Sequence, residues 1–229
     1  MSAAPDLAHW RPLDWDPPPA LEGAHARLER LDPAHVEALH AANPVDPDHW
    51  RYLSYGPFPD EAVYRLWAEG AAESADPAYY AVRGASGWSG VAALMRIDRT
   101  HGVVEIGSIA FSPPLQRTRA ATEAIHLLLR HCFEAGFRRV EWKCDARHAV
   151  SRRAAERFGF RYEGTFCQHM VVRGANRDTA WFAMLDGDWP RIRAAHEAWL
   201  ADANFDGEGR QRKALSDLMA GRDGAPATL

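Results

Sequence analysis

The chain has 229 residues, of which 47% are hydrophobic and 25% charged. That composition excludes disordered, collagenous and coiled-coil classes, and the length supplies a core for one large domain, or one and a half, without disulfides or metal. The 27 Lys and Arg against 31 Asp and Glu give a formal charge of −4, which offers no general attraction to nucleic acid or acidic membranes. Cys132, Cys144 and Cys167 match no zinc or redox spacing, and neither a basic start with an apolar run nor a membrane-length apolar segment occurs, so a cytoplasmic protein is expected.

Residues 1–23, with Trp10, Trp15 and Pro17-Pro18-Pro19, predict an extended arm whose indoles dock elsewhere. A loosely alternating edge strand over 24–31 precedes Asp32-Pro33, an N-cap and first-turn proline opening a short helix to Ala42. After a loop with Trp50, Tyr52, Tyr55 and Phe58, a helix runs from Pro59-Asp60-Glu61 to about Glu73, with acids where the helix dipole favours them. Strands at 79–83, 88–98 and 102–111 form a meander. Ala120, Ala124, Leu127, Leu128 and Cys132 then share a helical face until Gly136. A strand at 139–144, a helix over 151–158 stopped by Gly159, and strands at 160–173 and 176–185 follow. The strand-helix-strand unit 102–144 requires a right-handed crossover and parallel strands. The fold class is α+β with a mixed, mostly antiparallel seven-stranded sheet over a domain spanning 24–190. A helical extension, 191–220, includes a last helix around Glu208 to Ala220, and 221–229 is a loose tail.

The chemistry concentrates at Ser112-Pro113-Pro114-Leu115-Gln116-Arg117-Thr118-Arg119-Ala120-Ala121. A strand ends, a proline loop turns, and a helix begins with basic, hydroxyl and small residues, so free amide N–H groups converge with positive charge as in a phosphate cradle. An ordinary strand-to-helix turn with solvated arginines is the plainer reading. No His-Glu-x-x-His or other metal spacing occurs, so no metal is expected. The aromatic loop could line a ligand pocket, with core packing the default.

Gln116 to Ala121 resembles the Gln/Arg-x-x-Gly-x-Gly/Ala pyrophosphate loop of the GCN5-related N-acetyltransferase (GNAT) superfamily, with Arg119 where the family prefers glycine. His148-Ala149-Val150-Ser151, followed by Arg157-Phe158-Gly159-Phe160-Arg161-Tyr162-Glu163-Gly164, resembles the Asn-x-x-Ser and Gly-Phe-x-x-Glu-Gly elements of its RimJ/RimL-like branch, with histidine replacing asparagine. The resemblance implies a parallel, splayed pair formed by the family's fourth and fifth strands. It also implies acetyl-CoA as co-substrate and transfer of acetyl to a primary amine of a protein N-terminus or a small molecule. A non-catalytic acyl-CoA-binding module is the alternative, which the departures at Arg119 and His148 keep open.

The implied cofactor contacts are the backbone of Ile109, Ala110 and Phe111 for the pantetheine, Gln116, Arg117, Thr118, Arg119, Ala120 and Ala121 for the pyrophosphate, and His148 and Ser151 for the arm. Glu105, eleven positions before Gln116 as in the histone-acetylating members, is the implied base; a salt-bridged strand glutamate is the competing reading. Ser151 is the implied proton source for the departing thiolate, or an N-cap, or both. The acceptor is an amine; neither membrane nor nucleic acid is an expected partner. The Trp-rich arm and the C-terminal helices could cover a second copy in a homodimer.

Overall fold

The computed structural model describes residues 7–43 and 46–220; the first six residues and the tail after Ala220 lie outside them. In chain order the elements are β1 (Ala20–Glu22), β2 (Arg27–Arg30), α1 (Val36–Ala42), α2 (Pro47–Trp50), α3 (Glu61–Glu73), β3 (Ala78–Gly84), β4 (Gly87–Asp98) and β5 (Val103–Phe111). Then come α4 (Arg119–Glu134), β6 (Arg139–Asp145), α5 (Ala149–Phe158), β7 (Arg161–Val172), β8 (Ala175–Leu185), α6 (Trp189–Leu200) and α7 (Leu215–Ala220). One eight-stranded sheet has the order β1-β2-β3-β4-β5-β6-β8-β7, and only the β5/β6 pair is parallel.

Alternation along the strands builds two cores. Tyr80, Val82, Ala92, Leu94, Val104 and Ile106 face α4, whereas Tyr79, Ala81, Val91 and Ala93 face α1 and α3. A residue inserted into a strand reverses this alternation. In β5 the pairing passes from Gly107↔Ala93 to Ala110↔Val91, so Ser108 and Ile109 together oppose Ala92. Ser108 takes a left-handed φ of 51°. Ala110, which simple alternation would put with Val104, instead joins the α1/α3 core.

Three sequence expectations need correction. Ala20–Glu22 lies within the expected arm but pairs with β2, adding the eighth strand. The chain before it docks as anticipated: Trp10 Nε1 donates to the Thr100 carbonyl at 2.8 Å, and Trp15 is buried edge-on to Phe137. The turn after β1 is fixed by Glu123, on the first turns of α4, whose carboxylate accepts the N–H groups of Ala24, His25 and Ala26 at 3.0, 2.5 and 2.6 Å. Second, α5 is entered at His148, not Ser151, which lies inside the helix; Gly159 ends it as read, at φ 94°.

Third, the last helix starts only at Leu215. Asp206 Oδ1 accepts from the Glu208 and Arg210 N–H groups at 3.0 and 2.9 Å, a local side-chain turn that competes with helix formation. Asn204 then staples the loop by bonding the Trp199 and Lys213 carbonyls and the Lys213 N–H.

Helix α6 packs on α4 through a buried histidine pair, His126 and His196, with ring centroids 5.5 Å apart. His196 Nε2 lies 3.0 Å from the Phe158 carbonyl. Burial is the main reason both imidazoles sit below the usual 6.5, at about 4 for His126 and about 3 for His196. The native state therefore holds both neutral while the unfolded chain binds protons. Their contribution is complete above about pH 6.5 and is lost as pH falls through about 4 and 3. Denaturant unfolding between pH 6.5 and 4.5 should show stability falling by up to about 1.4 kcal/mol per pH unit for each imidazole. His126→Phe should remove one share of that slope.

Candidate active site

The parallel pairing of β5 and β6 covers only Val103↔Arg139, Val104↔Val140 and Glu105↔Glu141. Beyond it, β6 continues on β8 from Trp142↔Phe182 to Asp145↔Thr179, and β5 continues on β4 to Phe111↔Gly90. The sheet thus forks after Glu105. Ile109, Ala110 and Phe111, assigned to the pantetheine, lie on the unpaired side of that fork, where a ligand's amides can add like a strand. The Phe111 carbonyl is an exception, since Gln116 Nε2 already donates to it at 2.7 Å.

The loop after β5 ends at the N-terminus of α4. Thr118 is the N-cap, its hydroxyl accepting the Ala121 N–H at 3.1 Å, and Leu115 and Gln116 donate to the Ser112 carbonyl. Arg117 takes a left-handed φ of 61°. Among the described residues no acceptor is found for the N–H groups of Arg117, Arg119 and Ala120, so three donors gather at the positive end of a 16-residue helix, a setting that favours phosphate. Ala121 and Thr118, also assigned to this contact, close the cap between themselves.

Arg119, in the place of the family's glycine, keeps helical backbone geometry and turns its side chain away. Its Nη2 donates to the Leu200 carbonyl at 2.5 Å and Asp202 Oδ1 at 2.8 Å. The guanidinium lies 4.1 Å from the Phe205 ring centre. The C-terminal extension therefore docks on the helix start, and Trp199, Phe205 and Gln211 wall a cavity of about 830 Å³ shared with Arg117 and Thr118.

Glu105 sits at the crotch of the fork. Its side chain is 4% exposed, and Oε2 takes both Arg96 Nη1 at 2.5 Å and Lys143 Nζ at 3.2 Å. Oε1 has no hydrogen-bond partner among the described residues. Lys143, 6% exposed, also meets Glu141 at 2.6 Å and covers the Trp181 ring at 3.8 Å. Glu141 continues to Arg139 at 2.7 Å, and Arg139 to Glu163 at 2.5 Å. Six alternating charges thus cross β4, β5, β6 and β7, and Glu105 is salt-bridged where the ladder of β5 and β6 ends.

Ser151 Oγ accepts from Trp142 Nε1 at 3.0 Å and lies against the Cys144 thiol, whose pKa burial raises against the opposing pull of that hydroxyl. His148 stacks on Tyr52 with centroids 4.2 Å apart; burial holds its imidazole below the usual value and hence neutral at pH 7. Of the aromatic loop, Trp50, Tyr55 and Phe58 belong to the α1/α3 core. Sequence reasoning missed Lys143, although Glu141 and Lys143, two apart on one strand, must share a face. It also missed the Tyr55 hydroxyl, which donates to the Ser108 carbonyl at 2.8 Å. Among the described residues no group of three or more metal-binding side chains occurs, and no helix is long and apolar enough to cross a membrane.

A family model described as the acetyltransferase (GNAT) domain matches residues 25–161. A GCN5-related N-acetyltransferase from Brucella melitensis is 44% identical with a TM-score of 0.89, over 93% of this chain and 99% of that one. A probable GNAT-family acetyltransferase from Chromobacterium violaceum is also 44% identical, TM-score 0.76, over 83% and 98%. The chain belongs to the GNAT acetyltransferase family and is an N-acetyltransferase. The acetyltransferase from Salmonella typhimurium that modifies the N-terminal serine of ribosomal protein L7/L12 shares 21% identity, with a TM-score of 0.61 over 71% and 96%, and at that distance shows the fold alone. Among curated proteins no match is found.

Removing one member of a buried charge network strands the others. Lys143→Met should destabilise the fold by about 3 kcal/mol, read as a shift in urea midpoint at constant slope.

Proposed function

We propose that the protein transfers acetyl from acetyl-CoA to a primary amine, of a protein N-terminus or a small molecule, as a cytoplasmic member of the RimJ/RimL-like branch. The observation that carries this reading is the alignment of an open strand edge at Ile109–Phe111 with three unsatisfied N–H donors at the start of α4. A pantetheine arm and a diphosphate need that pair of features in that order. The donor set fits the co-substrate: main-chain N–H groups and Arg117 suit phosphate oxygens, and the fork suits amides. Arg119 departs from the family pattern only in its side chain, which serves the extension.

In this reading Glu105 takes a proton from the ammonium through water by way of its free Oε1, since the carboxylate is too buried for direct contact with a bulky acceptor. The neutral nitrogen attacks the thioester carbonyl carbon, the C–N bond forms, the nitrogen releases its second proton to water, and the C–S bond breaks with its electron pair going to sulfur. Ser151 passes a proton to that thiolate and regains one from water. An N–H of the β5 bulge stabilises the oxyanion.

Incubation with radiolabelled acetyl-CoA and a panel of amines and peptides should give transfer to at least one acceptor. Coenzyme binding without transfer to any acceptor would support the non-catalytic module instead, and no binding by calorimetry would overturn both. With the acceptor in hand, Glu105→Gln should lower kcat by about 10²-fold or more with unchanged coenzyme binding. Ser151→Ala should slow transfer by about tenfold without abolishing it, because the coenzyme thiol is already a fair leaving group.

A further inference from the structure

In the aromatic core between the sheet and α3, the Tyr79 hydroxyl meets the Ser108 side chain and the Tyr55 hydroxyl meets the Ser108 backbone. Tyr55 is buried, stacked on Trp67 with centroids 4.4 Å apart and edge-on to Trp50. Its OH donates to the carbonyl of Ser108, the left-handed residue of the β5 bulge. Ser108 and Ile109 have no register partner on β4, and the β5/β6 ladder has already stopped at Glu105. The peptide joining these two residues thus lies at a break in one ladder and beyond the end of the other. That peptide is planar and trans, with its C=O and N–H pointing in opposite directions, so whatever holds the Ser108 oxygen also aims the Ile109 N–H.

We infer that Tyr55 is a positioning residue for acetyl transfer: by holding the Ser108 carbonyl from the α3 side, it fixes the Ile109 N–H as the donor to the thioester oxygen. The inference rests on the reading that the fork takes acetyl-CoA. A backbone donor stabilises charge developing on an oxygen only if it is already aimed before the reaction, since reorienting it costs part of what it gives. A left-handed non-glycine residue is uncommon and needs its surroundings to hold it. The phenol is suited to that task because burial, reinforced by Tyr64 and Tyr79, raises its pKa, so it remains a donor throughout the neutral range.

The test uses the full chain and acetyl-CoA carrying ¹³C at the carbonyl. Tyr55→Phe keeps the ring and deletes only the hydroxyl. Tyr64→Phe is the packing control, because Tyr64 lies in the same cluster and its buried hydroxyl has no hydrogen-bond partner among the described residues. In the wild type and in Tyr64→Phe, the infrared stretch of the bound thioester carbonyl should move to lower frequency than in free acetyl-CoA. In Tyr55→Phe it should return toward the free value at unchanged coenzyme affinity. Where an acceptor is known, kcat should fall about tenfold while KM for acetyl-CoA and the pH profile stay the same. A carbonyl shift in Tyr55→Phe equal to that of the wild type overturns the inference alone. Loss of the shift in both variants assigns the effect to packing and also overturns it. Failure of wild-type protein to bind acetyl-CoA at all overturns the underlying reading and, with it, the role of Tyr55.

Discussion

A parallel ladder that stops while both of its strands run on leaves the main-chain groups along the gap without strand partners. β5 leaves its parallel partner after Glu105 and bulges at Ser108 and Ile109, whereas β6 runs on without a break along β8. Buried main-chain groups need partners, so the opening between the strands is a demand for hydrogen bonds as much as a space. The bulge redirects Ala110 into the α3 core, which leaves the edge of the strand turned toward the gap. Glu105 at the crotch, the loop to α4 beyond Phe111, and Ser151 behind Trp142 all take their places from this divergence.

The two cores divide the labour. On the α4 side the sheet, the helix start and the C-terminal extension enclose the cavity beside the free N–H donors. On the α1/α3 side, aromatic packing supports the bulge from behind. Arg119 joins the extension to this arrangement: one residue contributes a backbone donor to the helix start and a side chain to Leu200, Asp202 and Phe205. The glycine usual at that position could do only the first.

Much of the fold was legible because it is local. Gly136 and Gly159 end helices where backbone freedom is needed, alternation marks the strands, and the 102–144 unit forces a parallel pair. Ala20–Glu22 escaped notice because three residues carry too little periodicity, and their pairing depends on β2 and on the Glu123 clamp, which lies 97 to 99 residues beyond the turn residues it holds. The loop before α7 was misread because the helical character of the segment is defeated by the Asp206 turn. In the site, the gathering of main-chain donors at the start of α4 was readable from residue type and order. The bulge at Ser108 was not, since serine gives no hint of a left-handed backbone, and the partners of Glu105 became visible only when three strands were laid side by side.

The alternating charges from Arg96 to Glu163 have an evolutionary corollary. Glu105 answers Arg96 on β4 and Lys143 on β6, and Arg139 ties β6 to Glu163 on β7, so a lone replacement in the row leaves an odd charge. Drift along this row should proceed in compensated steps, with sign changes on one strand matched by reciprocal changes on the next. Descendant sequences would then preserve the sum of the row more faithfully than the identity of any single residue in it.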